Sequence, residues 1–166
     1  MRSFFLLFSL ILLNCQSQAP KSPAPGAGLE EQAAFFVKAY TSFEFDKVAD
    51  MLLPEYVESL GGRETMIKTF KSDAKRFQDD EMKLTDGKVG AASKPVTCNN
   101  SLQCVLEQSV TWHMKGAEPF SAETNLIAIS RDEGKTWKFL QSGPDDLAAL
   151  RQQFPILCED LVLKKY

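Results

Sequence analysis

Hydrophobic positions change period once along this chain. Leu29, Ala33, Phe36, Val37 and Tyr40 recur at helical steps and form one apolar stripe. Asp46 reads as an N-cap for a helix over Lys47 to Leu53, with Val48, Met51 and Leu52 inward and Pro54 closing it. Glu55 to Leu60 forms a further short turn that stops at Gly61-Gly62. From Arg63 the residues Met66, Ile67, Phe70, Ala74 and Phe77 mark another amphipathic helix. Beyond Glu81 the period shortens to two. Met82 and Leu84 precede Asp86-Gly87, a turn signal, and strands are predicted over Lys88 to Thr97 and Gln103 to Lys115.

In the second of these strands Leu106, Val110, Trp112 and Met114 share a face with Gln108. Val105, Glu107, Ser109, Thr111 and His113 share the other, so the first face is expected to meet the helices. Asn125 to Gln141 is a run–turn–run stretch and predicts a β-hairpin. Ile127 and Ile129 lie on one side of its first strand, and Trp137 and Phe139 on one side of its second. Its turn is expected to be type I with Gly134 in a left-handed position. A short helix over Asp145 to Gln153 follows, and the segments 155–157 and 161–163 return apolar residues to the core. Helices first and strands afterwards predict an α+β fold with N-terminal helices packed on an antiparallel sheet.

The N-terminus reads as an address. Arg2 precedes an apolar run from Phe4 to Leu13, too short to span a bilayer but of signal-peptide length. The run ends Leu12-Leu13-Asn14-Cys15 and resembles a bacterial lipoprotein lipobox, with Asn14 where Gly, Ala or Ser is usual. The resemblance implies cleavage before Cys15 and acylation of that residue, with several acyl chains giving a stable membrane anchor. Gln16 carries no inner-membrane retention signal, which favours the outer membrane. Residues 16–28, rich in Pro and Gly and without apolar periodicity, form a tether. The expected organisation is a signal peptide over 1–14, an acylated Cys15 with its tether over 15–28, and a folded domain over 29–166.

Charge and composition narrow the chemistry. A net charge of −3 gives no footprint for nucleic acid. One histidine, His113, and four cysteines without a C-x-x-C pair support no metal site, and no cofactor is expected. Cys98 and Cys104 flank a five-residue tip, so a disulfide closing that hairpin is expected in an oxidising compartment. It would close a short loop and contribute little, leaving Cys158 as a buried thiol. Pairing of Cys158 with either Cys98 or Cys104 stays open. Tyr40 and Tyr56, with Trp112, are candidates to line a pocket between helices and sheet.

Ser130 to Trp137 matches the Asp-box, S-x-D-x-G-x-T-W, known from sialidase propellers. There it is a folding motif, so Asp132, Gly134, Thr136 and Trp137 are expected to build a turn. A single copy in 166 residues excludes a propeller. The larger resemblance spans Leu29 to Val162. Helix, helix, Gly61-Gly62-Arg63-Glu64 opening a third helix, and a sheet ending in the Ser130–Phe139 hairpin resemble the nuclear transport factor 2-like superfamily, in particular its small secreted or lipid-anchored bacterial members. That resemblance implies a curved sheet wrapped on the helices as a cone, a pocket at its mouth and homodimers formed through the sheet. The superfamily also includes lyases and isomerases with polar groups inside the cone, but no catalytic set of theirs falls on this sequence residue by residue. Asp46, Asp50 and Glu64 lie where solvated carboxylates are expected, and fold alone does not assign activity.

The expectation is therefore a membrane-anchored envelope lipoprotein whose non-catalytic domain binds a small apolar ligand or an envelope protein. A cone-pocket enzyme, requiring an inward carboxylate beside a Tyr or His, and a structural envelope component are the alternatives.

Overall fold

A computed structural model describes residues 23, 27–143 and 146–166. The expected signal peptide, Cys15 and nearly all of the tether lie outside the described residues. Among the described residues five helices and five strands follow in the order α1 (Leu29–Thr41), α2 (Phe45–Met51), α3 (Pro54–Ser59), α4 (Arg63–Asp79), β1 (Met82–Val89), β2 (Val96–Cys98), β3 (Ser101–Met114), β4 (Phe120–Ser130), β5 (Lys138–Ser142) and α5 (Leu147–Gln153). The strands form one antiparallel sheet in the order β1-β3-β4-β5, with β2 on the same edge of β3 as β1. This is the expected α+β class. Among the described residues no helix is long and apolar enough to cross a membrane.

Burial follows the residue period, and it uses both faces of the sheet. On one face Cys104, Leu106, Leu126, Ala128 and Phe139 pack against Ala33, Phe36 and Val37 of α1, Val48 of α2 and Met66 of α4. Phe36 and Phe139 bring their ring centres to 5.1 Å. On the other face Val105, Ile127, Ile129 and Leu140 are covered by Phe154, Leu157, Cys158, Leu161 and Leu163. The C-terminal stretch is thus a strap over the outer face of the sheet. This explains why Asn125–Ser130 is buried at every position instead of alternating.

Carboxamides fasten the strap to the sheet. The buried Gln103 donates from Nε2 to the Ile156 carbonyl at 2.7 Å and accepts from the Cys158 N–H at 3.0 Å. Asn125 exchanges two hydrogen bonds with the Lys164 backbone. Arg151 donates to the carbonyls of Cys158 and Leu161.

Four expectations are corrected by this architecture. The disulfide joins Cys98 to Cys158, not to Cys104. The β2–β3 hairpin has a two-residue tip, Asn99-Asn100, both left-handed, so Cys98 lies opposite Ser101. Residues 101, 103 and 105 share that face, whereas Cys104 points to the helices, where it is a buried free thiol. Asp86-Gly87 makes no turn: it is a bulge inside β1, where the register with β3 shifts between Leu84 and Gly87. The expected strand over Lys88 to Thr97 reduces to the end of β1 and the short β2; between them Gly90 and Ser93 still donate to the Glu107 and Val105 carbonyls. Asp46 does not cap α2. The helix begins at Phe45 after Glu44, no side chain caps it, and Asp46 turns outward to Arg63 at 3.2 Å.

The β4–β5 turn is built by the motif residues. Asp132 accepts from the Thr136 N–H at 2.8 Å, the Thr136 hydroxyl at 2.7 Å and the Ser130 hydroxyl at 2.8 Å. Ser130 Oγ in turn accepts from the Gly134 N–H, and the Trp137 indole donates to the Gly134 carbonyl. Glu133 and Gly134 both have positive φ. Gln32 of α1 locks the turn to the helix layer, accepting from the Trp137 N–H at 3.0 Å and donating to the Lys135 carbonyl at 3.1 Å.

These donors, the Thr136 N–H foremost, hold the Asp132 carboxyl down from 3.8 to about 2. The fold favours the ionised form. The associated stability is therefore complete above the ordinary carboxyl range and is lost as pH falls through about 2. Asp132→Asn is expected to flatten the fall of the urea midpoint between about pH 4 and pH 2. An unchanged slope would show that this carboxylate does not couple to folding. Solvent screening at the turn keeps the effect modest.

Candidate functional site

A cavity opens where α1 ends. The helix leaves through Ser42 and Phe43, with the Glu44 N–H donating back to the Ala39 carbonyl at 2.9 Å. Phe43 takes φ +58°, the position where a helix end usually carries Gly or Asn. A bulky side chain in that conformation costs about 1–2 kcal/mol. Its ring is set 5.9 Å from that of Phe45, which meets Phe70 of α4 edge-on at 5.6 Å. These rings, with Tyr40, Phe77 and Leu84, wall a chamber of about 160 Å³. Asp73 stands on its lining and faces Arg76 at 3.6 Å.

Tyr40 also lines a second, wider cavity of about 330 Å³ over the helix-side face of the sheet. Gln108, Val110 and Trp112 of β3, Thr124 of β4 and Gln141 of β5 surround it, with Asp146 at the rim. Asp146 Oδ2 accepts from the Gly143 N–H at 3.0 Å. Phe77 of the first lining and Trp112 of the second meet edge-on at 5.2 Å, and Tyr40 is on both linings, so the two chambers adjoin there. Aromatic rings dominate the first lining, with Asp73 among them, and the second mixes Gln108, Gln141 and Thr124 with Trp112, Val110 and Ala122.

Burial is the largest influence raising the Tyr40 phenol above its ordinary range, followed by Tyr56 and Asp73. Tyr40 is therefore a neutral hydroxyl at physiological pH, not a base. Tyr56 is raised by burial as well; it is near enough to act on Tyr40 but lines neither chamber, and its ring meets Phe154 edge-on at 6.1 Å between the two cores. Of the three predicted pocket residues, the structure brings Tyr40 and Trp112 together and leaves Tyr56 apart.

The ionisable groups weighed for proton transfer do not converge on either chamber. Asp46 and Asp50 are exposed and share Arg63, at 3.2 and 3.0 Å. Glu64 and His113 are exposed. Glu107 points to the outer face and pairs with Lys164 at 3.7 Å. General acid–base work at the chambers would need one of them within about 3 Å of a bound molecule, or one water away. Among the described residues no group of three or more His, Cys, Asp or Glu is placed to hold a metal ion.

Several lining residues were not singled out as pocket candidates from the sequence, among them Phe43, Phe45, Gln108 and Gln141. The signal for Gln108 was present: it is a polar side chain on the otherwise apolar face of β3. Gln141 gave none, being one of several polar residues near the end of a strand. A scan against protein-family models finds no match to this chain, and a search among curated proteins finds none either.

Proposed function

We propose that this chain is a lipid-anchored protein of the bacterial cell envelope, with a nuclear transport factor 2-like domain that holds a small apolar ligand without transforming it. The observation that carries the ligand reading is the aromatic chamber behind Tyr40. Phe43, Phe45, Phe70 and Phe77 surround about 160 Å³ that their own side chains leave unfilled. A cavity of about 150 Å³ takes up a benzene-sized ring, and the adjoining second chamber gives a larger body room to extend. A left-handed Phe43 on its wall is a local cost accepted at the site itself, which is where such strain concentrates. The lipobox at Cys15 supports the anchor, and the Cys98–Cys158 bridge fits an oxidising compartment outside the cytoplasm. The exposed positions of Asp46, Asp50, Glu64 and His113 weigh against the enzyme alternative.

Filling the chamber tests the ligand reading. Ala74 lines it and is nearly buried, so Ala74→Leu places new carbon in the void. Calorimetric titration of the full chain in lipid nanodiscs, with empty nanodiscs subtracted, is expected to show naphthalene binding. Ala74→Leu is expected to weaken that binding about tenfold or more, the loss of roughly 1.4 kcal/mol of contact. Equal affinity in the two proteins, or no binding to either, would sink this reading. The address is tested separately by metabolic fatty-acid labelling, in which Cys15→Ala should abolish incorporation. Undiminished labelling would remove Cys15 as the anchor.

A further inference from the structure

Four side-chain carboxamides are buried among the described residues: Gln32, Gln103, Gln108 and Asn125. Three of them bond backbone groups through both the amide oxygen and the amide nitrogen. Gln32 donates to the Ala27 and Lys135 carbonyls and accepts from the Trp137 N–H. Gln103 donates to the Ser101 hydroxyl and the Ile156 carbonyl and accepts from the Cys158 N–H. Asn125 donates to and accepts from Lys164. Each of the three ties together segments distant in sequence.

Gln108 is different. Only 1% exposed, its Oε1 accepts from Gln141 Nε2 at 3.0 Å, but its own Nε2 has no acceptor among the described residues. Gln108 Nε2 is not among the fully enclosed side-chain polar atoms left without a hydrogen bond in the described residues, so the little surface Gln108 keeps opens into the second chamber that it lines. Gln141 Oε1 is likewise without a donor among the described residues and lines the same chamber. If the amide oxygen and nitrogen of both side chains are interchanged, the pair still presents one free donor and one free acceptor. A buried N–H without an acceptor is destabilising, so a polar atom on the chamber side completes this pair.

We infer that the Gln108–Gln141 pair is the polar recognition element of the ligand site. Resting on the proposed apolar ligand, this names its class: a neutral amphipathic molecule with an aromatic or aliphatic body in the Phe43–Phe77 chamber. Its head carries both a hydrogen-bond donor and an acceptor, as a carboxamide or an alcohol does, and lies beside Gln108. The head is uncharged because, among the described residues, neither chamber lining includes a cationic side chain. Their two carboxylates are already engaged, Asp73 with Arg76 and Asp146 with the Gly143 N–H. The neutral Tyr40 hydroxyl stands between body and head, on both linings.

The test compares 2-naphthamide with 2-isopropylnaphthalene, a probe of similar outline without polar atoms, titrated calorimetrically into the full chain in nanodiscs. Gln108→Leu is expected to lower affinity for 2-naphthamide about tenfold, the size of one net hydrogen bond. Affinity for 2-isopropylnaphthalene should be unchanged or higher. Gln141→Met, made at the half-buried partner, should give the same selective loss and decides the matter if Gln108→Leu does not fold. Both probes binding the wild-type chain, with neither substitution altering the preference between them, would overturn the inference while leaving the apolar site standing: the pair would then be merely hydrated. Failure of both probes to bind the wild-type chain would overturn the proposed ligand site itself, and this inference with it.

Discussion

Replacing Cys98 and Cys158 together by alanine is expected to lower the thermal midpoint of the folded domain by about 10 °C or more. The bridge spans a sequence separation of 60 residues. Closing a loop of that length removes chain entropy from the unfolded state worth about 4 kcal/mol in the loop-entropy model. In a domain of this size each kcal/mol moves the midpoint by roughly 3 °C. The same bond between Cys98 and Cys104 would have enclosed only a few residues and stabilised far less.

The bridge also lies among other contacts that hold the strap. Cys158 N–H donates to Gln103, the Cys158 carbonyl accepts from Arg151, and Leu157 and Leu161 bury against Val105 and Ile127. Reduction of the wild-type protein should reproduce the loss, because Cys104 lies on the opposite face of β3 and cannot replace either partner. A midpoint within about 2 °C of wild type in the double variant would show that the strap is held by packing and carboxamide bonds alone.

How much of this was legible depends on where each residue's partners lie. The α1 and α4 stripes and the β4–β5 hairpin were readable because periodicity and turn chemistry are local. The disulfide was nearly readable. Asn99-Asn100 is a pair suited to a two-residue turn, and that turn alone sends Cys98 and Cys104 to opposite faces. Reading a five-residue tip hid this parity. The dual burial of Asn125–Ser130 was not readable, since it depends on a strap that returns some thirty residues later. The struts Gln32 and Gln103 were invisible for the same reason, with backbone partners up to 105 residues away. In the site, Tyr40 and Trp112 carried a signal as amphipathic aromatics. Tyr56 carried the same signal, and only the packing of Phe154 against it draws it elsewhere.

Gly87 offers the sharpest contrast between a local reading and the tertiary one. As the second residue of Asp86-Gly87 it looks like a turn glycine, for which asparagine is an acceptable substitute. In the fold it lies inside β1 directly beneath α1. A Cβ on Gly87 would sit 2.4 Å from Val37 Cγ1 and 3.0 Å from Thr41 Cγ2, with the Val37 carbonyl oxygen at 3.5 Å. Neither side chain is free to yield. Val37 is buried and β-branched, with one strongly preferred rotamer in a helix, and the Thr41 hydroxyl is bonded back to the Val37 carbonyl at 3.1 Å. Relief therefore requires α1 to lift from β1.

Gly87→Ala is expected to destabilise the domain by about 3 kcal/mol, the upper end for overpacking, read from the urea midpoint at constant slope. Gly87→Asn should be worse than Gly87→Ala. That order is opposite to the one a turn position gives, and an asparagine variant as stable as wild type would reject the close-approach reading. The displacement should reach the site too. Tyr40 lies on the same helix as Val37 and lines both chambers. Naphthalene affinity should then fall in Gly87→Ala under conditions where the protein is still folded, linking the seat of α1 on β1 to the shape of the cavity behind Tyr40.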